Sequence, residues 1–230
     1  EKMEKMRVMD THERPVPRGG GIPIFLSLAI VGGIALRADK HFLGMLGGAL
    51  ILTILGVLDD KYNLSPYLRL PILFLAAAVV VASGIGIPYI NLPFLGIVQL
   101  DQPQVEFMLL GKMRSIWILA DLFALFWIVG IMNFVNWSKG IDGQLPGIVA
   151  ISAITIALLS FRFSADIAQW PVVILALITA GAYLGFLVWN FYPQKIMPGY
   201  GGGILGGYLL AVLSILSTTK VGTLLVVLGV

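Results

Sequence analysis

Cysteine is absent from these 230 residues, which excludes disulfides and thiolate metal sites and leaves the redox compartment open. Charge is scarce as well. Asp, Glu, Lys and Arg make up 12% of the chain against 58% hydrophobic residues, a balance that no soluble domain of this length sustains. The first twenty residues are polar and rich in Pro and Gly, with no apolar stretch leading to a small-residue cleavage site, so no signal peptide is read there. The net charge of +3 comes largely from Lys2, Lys5, Arg7, Arg14 and Arg18. Such an N-terminal cluster bears on membrane topology, and no nucleic-acid partner is expected. The chain opens without Met and stops inside the apolar run TLLVVLGV, which reads as a piece of a longer protein.

What the sequence does have is a series of apolar runs, each near the length needed to cross about 30 Å of hydrocarbon. Helices are expected over roughly 21–37, 42–58, 69–87, 114–134, 145–161, 168–189 and 201–217, with an eighth starting near 219. Open strands would leave backbone groups unpaired in lipid, so the fold class is all-α: a polytopic transmembrane helix bundle forming a single domain over 1–230. Taken in order, these spans deliver residues 1–20, 59–68, 135–144 and 190–200 to one membrane face and 38–41, 88–113, 162–167 and 218–220 to the other. The first face collects His12, Asp59, Asp60, Asn136, Lys139, Asp142, Asn190 and Lys195. Its excess of basic residues favours the cytoplasmic side. The second carries scattered charge and the loop INLPFLGIVQLDQPQVEFMLLGK, in which a short hairpin is expected.

Individual motifs are ambiguous. Asp59 and Asp60, in GVLDDKYNLSP, are either solvated charge at a helix end or a pair that binds Mg²⁺ or takes a proton from a phosphate oxygen. GIMNFVNWSKGIDGQLPG holds Asn133, Asn136 and Asp142 between glycines, either an ordinary turn or a place where backbone approaches a ligand that amides and a carboxylate read. GYGGGILGG matches a GxGxxG spacing, yet no buried strand precedes it, so it reads as close helix packing rather than a dinucleotide site. Asp121 lies in an apolar run, where a charge is costly unless it is paired or near a wet edge.

Together these segments resemble the polyprenyl-phosphate N-acetylhexosamine-1-phosphate transferases. HERPVPRGGGIPIF is similar to that family's HxRPxPRxGGxxIF, GVLDDKYNLSP to its acidic-pair motif, WIVGIMNFVNWSKGIDG to its Asn-rich loop, and GFLVWNFYPQKIMPG to the approach to its glycine motif. The resemblance implies transfer of a sugar 1-phosphate from a UDP-amino sugar to polyprenyl phosphate, releasing UMP, at the cytosolic face of a bacterial cytoplasmic membrane. It implies Mg²⁺ as cofactor, a second copy of the chain as a further partner, and a first helix and C-terminal part outside the 230 residues. Asp59 and Asp60 become the expected catalytic pair. Asn133, Asn136, Asp142, Lys139, Lys61, Arg69 and His12 become substrate contacts, with Asp142 and Asn136 as metal ligands. Two departures stand out. Lys139 occupies the first Asp of the family's NxxDGxDG, and Tyr200 the Asp of its GDSGS, where a phenol is a poor Mg²⁺ ligand at neutral pH. They leave a second reading open, a homologue that binds polyprenyl phosphate or a partner without catalysis; a membrane transporter is the third.

Overall fold

The computed structural model describes residues 16–92, 96–109, 112–162 and 167–217. His12 and the expected start of an eighth span lie outside them. Seven helices account for most of the described chain: α1 (Gly21–Ala35), α2 (Lys40–Tyr62), α3 (Pro66–Ala82), α4 (Ile118–Trp137), α5 (Gln144–Phe161), α6 (Trp170–Asn190) and α7 (Gly199–Leu216). The all-α membrane bundle expected from hydropathy is therefore present. Five helices are long and apolar enough to cross a membrane, whereas α1 and α3, at 15 and 17 residues, are shorter. At 1.5 Å per residue the latter pair rise only about 22–26 Å, less than the hydrocarbon thickness.

The loop after α3 is more structured than expected. It folds into two antiparallel hairpins, β1 (Tyr89–Leu92) with β2 (Gly96–Gln99) and β3 (Gln104–Leu109) with β4 (Lys112–Trp117). Tyr89 opposes Gln99 in the first, and Gln104 opposes Trp117 in the second. Because β4 continues to Trp117, α4 begins at Ile118 rather than near 114. Lys112 and Arg114 would be expensive inside hydrocarbon, and strand pairing satisfies their backbone groups before the helix enters. Asp121 belongs to that entry: its Oδ2 accepts the Trp117 N–H at 3.3 Å, so it serves the start of the helix.

The centre of the bundle is α7, buried from Gly199 to Ile215. A helix so enclosed needs small residues where neighbours cross it. Gly201 lies against Gly56 of α2 and Gly21 of α1, and Gly207 against the backbone of Met132 in α4. The glycine run is thus a packing surface, as its sequence context indicates. Side chains then pin α7 in register. Tyr183 Oη donates to the Gly202 carbonyl at 2.7 Å, Tyr208 Oη to the Met45 carbonyl at 2.8 Å, and Trp127 Nε1 to Ser214 Oγ at 2.9 Å. Each such bond contributes about 1 kcal/mol net, and leaving one of these buried groups unpaired costs more.

The two ends of the bundle are as different as the alternation of spans requires. One carries the hairpins. The other gathers residues 16–20, the turn after α2, the turn between α4 and α5, and the loop 191–198. There Met197 N donates to the Pro17 carbonyl at 2.9 Å and Gly20 N to the Met197 carbonyl at 3.3 Å, so the N-terminal segment lies beside the approach to α7.

A Cβ on Gly56 would overlap the Gly201 Cα, backbone against backbone, with no side chain free to swing aside. Gly56→Ala should destabilise the protein by about 1–3 kcal/mol. Gly33→Ala, where an added methyl meets nothing within 4 Å, should not. Thermal unfolding in detergent micelles compares the two, and equal midpoints would refute the packing account.

Candidate active site

At the non-hairpin end, five segments bring charge together. Asp59 and Asp60 occupy the last turn of α2, which closes on Asn63 in a left-handed conformation whose N–H returns to the Asp59 carbonyl. Asp59 is 8% exposed. Arg69, one turn into α3, lies beside it with Nε 3.3 Å from Oδ1 and Nη1 3.5 Å from Oδ2. The contact is electrostatic more than directional. Asp59 Oδ1 and Arg69 Nε are both buried without a directed hydrogen bond.

Asp60 meets the start of α7 instead. Its Oδ1 accepts the Tyr200 N–H at 3.0 Å, and its carboxylate packs on the Cα of Gly199 so closely that any Cβ there would collide with it. Gly199 has φ +67°, which also favours glycine. A carboxylate on the unpaired N–H groups of a helix start gains from their partial positive charge.

Lys139 comes from the short 3₁₀ turn Ser138–Gly140 that follows α4. It is within electrostatic range of Asp60 and Asp59, and of Arg18 and Arg69. Arg18, from the N-terminal segment, also acts on Asp60. The Tyr200 ring lies under two of these cations, with Arg69 Cζ 5.0 Å and Lys139 Nζ 5.4 Å from its centroid. Cation–π contacts of this kind contribute about 0.5–2 kcal/mol each. Two carboxylates, three cations and one phenol ring therefore share one rim of the bundle. At an effective dielectric of about 20, unit charges about 5 Å apart interact by about 3 kcal/mol, so each group senses the others.

The other expected site residues are placed around this cluster with unequal involvement. Asn136, 8% exposed, presses against Gly203 of α7, and its Oδ1 is buried without a hydrogen bond. Asn133 turns back on its own helix, Nδ2 donating to the Val129 carbonyl at 2.8 Å. Asp142 serves as a tether: its Oδ2 accepts the Gln194 N–H at 3.2 Å. Beside it, the Gly143 N–H donates to Asn190 Oδ1 at 3.1 Å, and Asn190 Nδ2 donates to the Ile196 carbonyl at 3.0 Å. Together these hold the turn before α5 to the loop before α7. Lys61 is exposed, its Nζ 5.0 Å from the Tyr62 ring centroid. Sequence reasoning did not assign Arg18 or Asn190 to the site. Arg18 lies in HERPVPRGGGIPIF, a segment that carries the resemblance, but only its charge was read there, and nothing marked Asn190 as the residue that joins two loops.

A polytopic membrane bundle with a charged cluster at one end is the class that this architecture defines. The chain belongs to glycosyl transferase family 4, whose sequence profile matches residues 42–218. It is 32% identical over 216 residues to the probable undecaprenyl-phosphate N-acetylglucosaminyl 1-phosphate transferase of Bacillus subtilis, covering 93% of this chain and 54% of that protein. It is 31% identical to the decaprenyl-phosphate N-acetylglucosaminephosphotransferase of Mycobacterium tuberculosis (94% and 53% covered). Identity to the phospho-N-acetylmuramoyl-pentapeptide-transferase of Bacillus velezensis is also 31% (93% and 64% covered). The chain spans about half the length of the first two relatives.

The family is in general dependent on a divalent metal. Magnesium asks for about six oxygen ligands in an octahedron. Among the described residues, no group of three or more His, Cys, Asp or Glu side chains lies together. Asp60 already accepts a backbone N–H, Tyr200 beside it offers a phenol rather than a carboxylate, and three cations crowd the two acids. The donor set of these residues does not fit a magnesium ion.

Removing Arg69 would strand a buried carboxylate. Arg69→Met should lower stability by about 2–4 kcal/mol, and adding Asp59→Asn should restore more than half of the loss. A double-mutant cycle by thermal unfolding measures this; strictly additive losses would show that the pair is not coupled.

Proposed function

We propose that this chain carries the active site of an enzyme that transfers an N-acetylhexosamine 1-phosphate from a UDP-sugar to polyprenyl phosphate. The observation that carries the reading is the convergence of Asp59, Asp60, Arg18, Arg69 and Lys139 on one rim of a membrane bundle in this family. One substrate is a long isoprenoid dissolved in the bilayer and the other a water-soluble nucleotide, so the chemistry belongs at the boundary where this cluster stands.

In this reaction an oxygen of the lipid phosphate attacks the phosphorus bonded to the sugar. A new P–O–P bond forms, the bond to the bridging oxygen breaks, and UMP departs with that oxygen's electron pair. Little covalent work is left to the protein. It must align two anions and offset their repulsion, which fixed charges in a water-poor site do well. Arg18, Arg69 and Lys139 supply the positive charge. Asp60, fixed by the Tyr200 N–H, and Asp59, held by Arg69, orient the lipid phosphate and take its proton when it arrives protonated. Asn136, enclosed against Gly203 of α7, contributes by setting that junction beside the cluster. Asn133 and Asp142 contribute through the shape of the adjoining turn, and Lys61 and His12 as peripheral phosphate contacts. The membrane is the bacterial cytoplasmic membrane, with the cluster facing the cytosol.

Lys139 and Tyr200 also support a second reading, in which the fold binds polyprenyl phosphate without catalysis. The full-length protein in proteoliposomes separates the two. Label from UDP-N-acetylglucosamine should enter the lipid fraction with release of UMP, and Asp59→Asn or Asp60→Asn should lower the rate at least about 100-fold. Absence of transfer with UDP-N-acetylglucosamine and with UDP-N-acetylmuramoyl-pentapeptide would leave the binding reading. Orientation has its own test, because none of the 230 residues is a cysteine. In cells expressing a cysteine-free form of the full-length protein, Tyr192→Cys at the cluster end should resist a membrane-impermeant maleimide. Tyr89→Cys in β1 should react, and the opposite pattern would invert the topology.

A further inference from the structure

Tyr200 sits where a metal-binding carboxylate is expected by resemblance, and what surrounds it is cationic. Arg69 of α3 and Lys139 of the turn after α4 both lie over its ring. Arg18 joins them from the N-terminal segment through its effect on Lys139 and Asp60. Three cations against Asp59 and Asp60 leave the cluster one positive charge in excess when all are ionised. A divalent cation entering here would meet three fixed like charges. A diphosphate would meet a matching field.

A second observation points the same way. Arg69 Nε is buried yet donates no directed hydrogen bond, although Asp59 is only 3.3 Å away. A guanidinium presents its donors in a rigid planar fork, and with Nε and Nη1 of this partly exposed side chain turned toward Asp59, the Nη donors that remain are suited to an additional oxyanion. Tyr200 completes the arrangement: an aromatic face holds two cations near one another without neutralising them, as a carboxylate at that position would.

We infer that Arg18, Arg69 and Lys139 form the binding site for the diphosphate of the nucleotide donor, with Tyr200 as the platform that positions Arg69 and Lys139, and that the donor binds without a divalent cation. The inference rests on the proposed function for the identity of the donor. Lys139 contacts the ligand, whereas Tyr200 is a positioning residue that acts through the two cations.

The test is calorimetric binding of UDP to the full-length protein in nanodiscs, in EDTA and in millimolar Mg²⁺. The two affinities should agree within about threefold, and affinity in EDTA should fall with added salt because cations hold the ligand. Lys139→Ala should weaken binding in EDTA by about 10- to 100-fold, with Lys139→Arg restoring most of it. Tyr200→Phe should bind as the unaltered protein does, while Tyr200→Leu should weaken binding by about tenfold. UDP binding that vanishes in EDTA, or that is indifferent to Lys139→Ala, would overturn the inference. The metal comparison uses the unaltered protein, so it decides the metal-free claim even when a variant does not fold. Transfer that proceeds while UDP binding requires Mg²⁺ would sink this inference and leave the proposed function standing. Metal-free UDP binding without any transfer to lipid would do the reverse.

Discussion

The arrangement depends on the approach of two backbones, Gly56 of α2 to Gly201 of α7, closer than any side chain would permit. That crossing lies near the end of α2 and the beginning of α7, so it delivers one helix's final carboxylates to the other's first free N–H groups. Asp60 meets Tyr200 N because of it, and Tyr200 is thereby carried beneath Arg69 and Lys139. In lipid the hydrophobic effect does not drive helices together, and small residues that allow van der Waals contact take its place. Packing and site geometry are here one problem solved by the same glycines.

The electrostatics at the rim follow from the same economy of space. Asp59 is enclosed and would be costly alone, so Arg69 accompanies it. Asp60 is compensated differently, by a backbone N–H at a helix start and by Lys139 and Arg18. One acid has a dedicated partner and the other a diffuse field. Under the proposed function both carboxylates meet the lipid phosphate, Asp59 in the orientation that Arg69 fixes and Asp60 in a field set by several groups.

Hydropathy made the number of helices legible, and their alternation foretold which polar residues would share a face. Asp59, Asp60, Lys139 and Asn190 do lie at one end, as counting spans requires. The hairpins were harder to read. Lys112 and Arg114 sit beside an apolar run, and only the pairing of β3 with β4 shows that their segment stops short of the membrane helix. Arg18 stands in a segment that carries the resemblance, but its place at the rim comes from the backbone bonds of Pro17 and Gly20 to Met197, almost the whole described chain away. The opposing behaviour of Asn133, bonded to its own helix, and Asn136, turned toward α7, depends on helix phase against a neighbour. Composition carries no trace of that. The stacking of two cations on Tyr200 likewise needs three elements in place at once.

Because the rim is assembled from residues as far apart as Arg18 and Tyr200, the contacts described there form only once α7 has been made. Until then Asp60 lacks the Tyr200 N–H that donates to it, and Arg69 and Lys139 have no Tyr200 ring to gather on. A nascent chain halted before residue 199 would leave Asp60 without its backbone partner, whereas Asp59 would already have Arg69 of α3 to pair with. The seventh helix is thus the keystone of the described rim: a single, almost wholly enclosed segment ties together spans that would otherwise stand apart there.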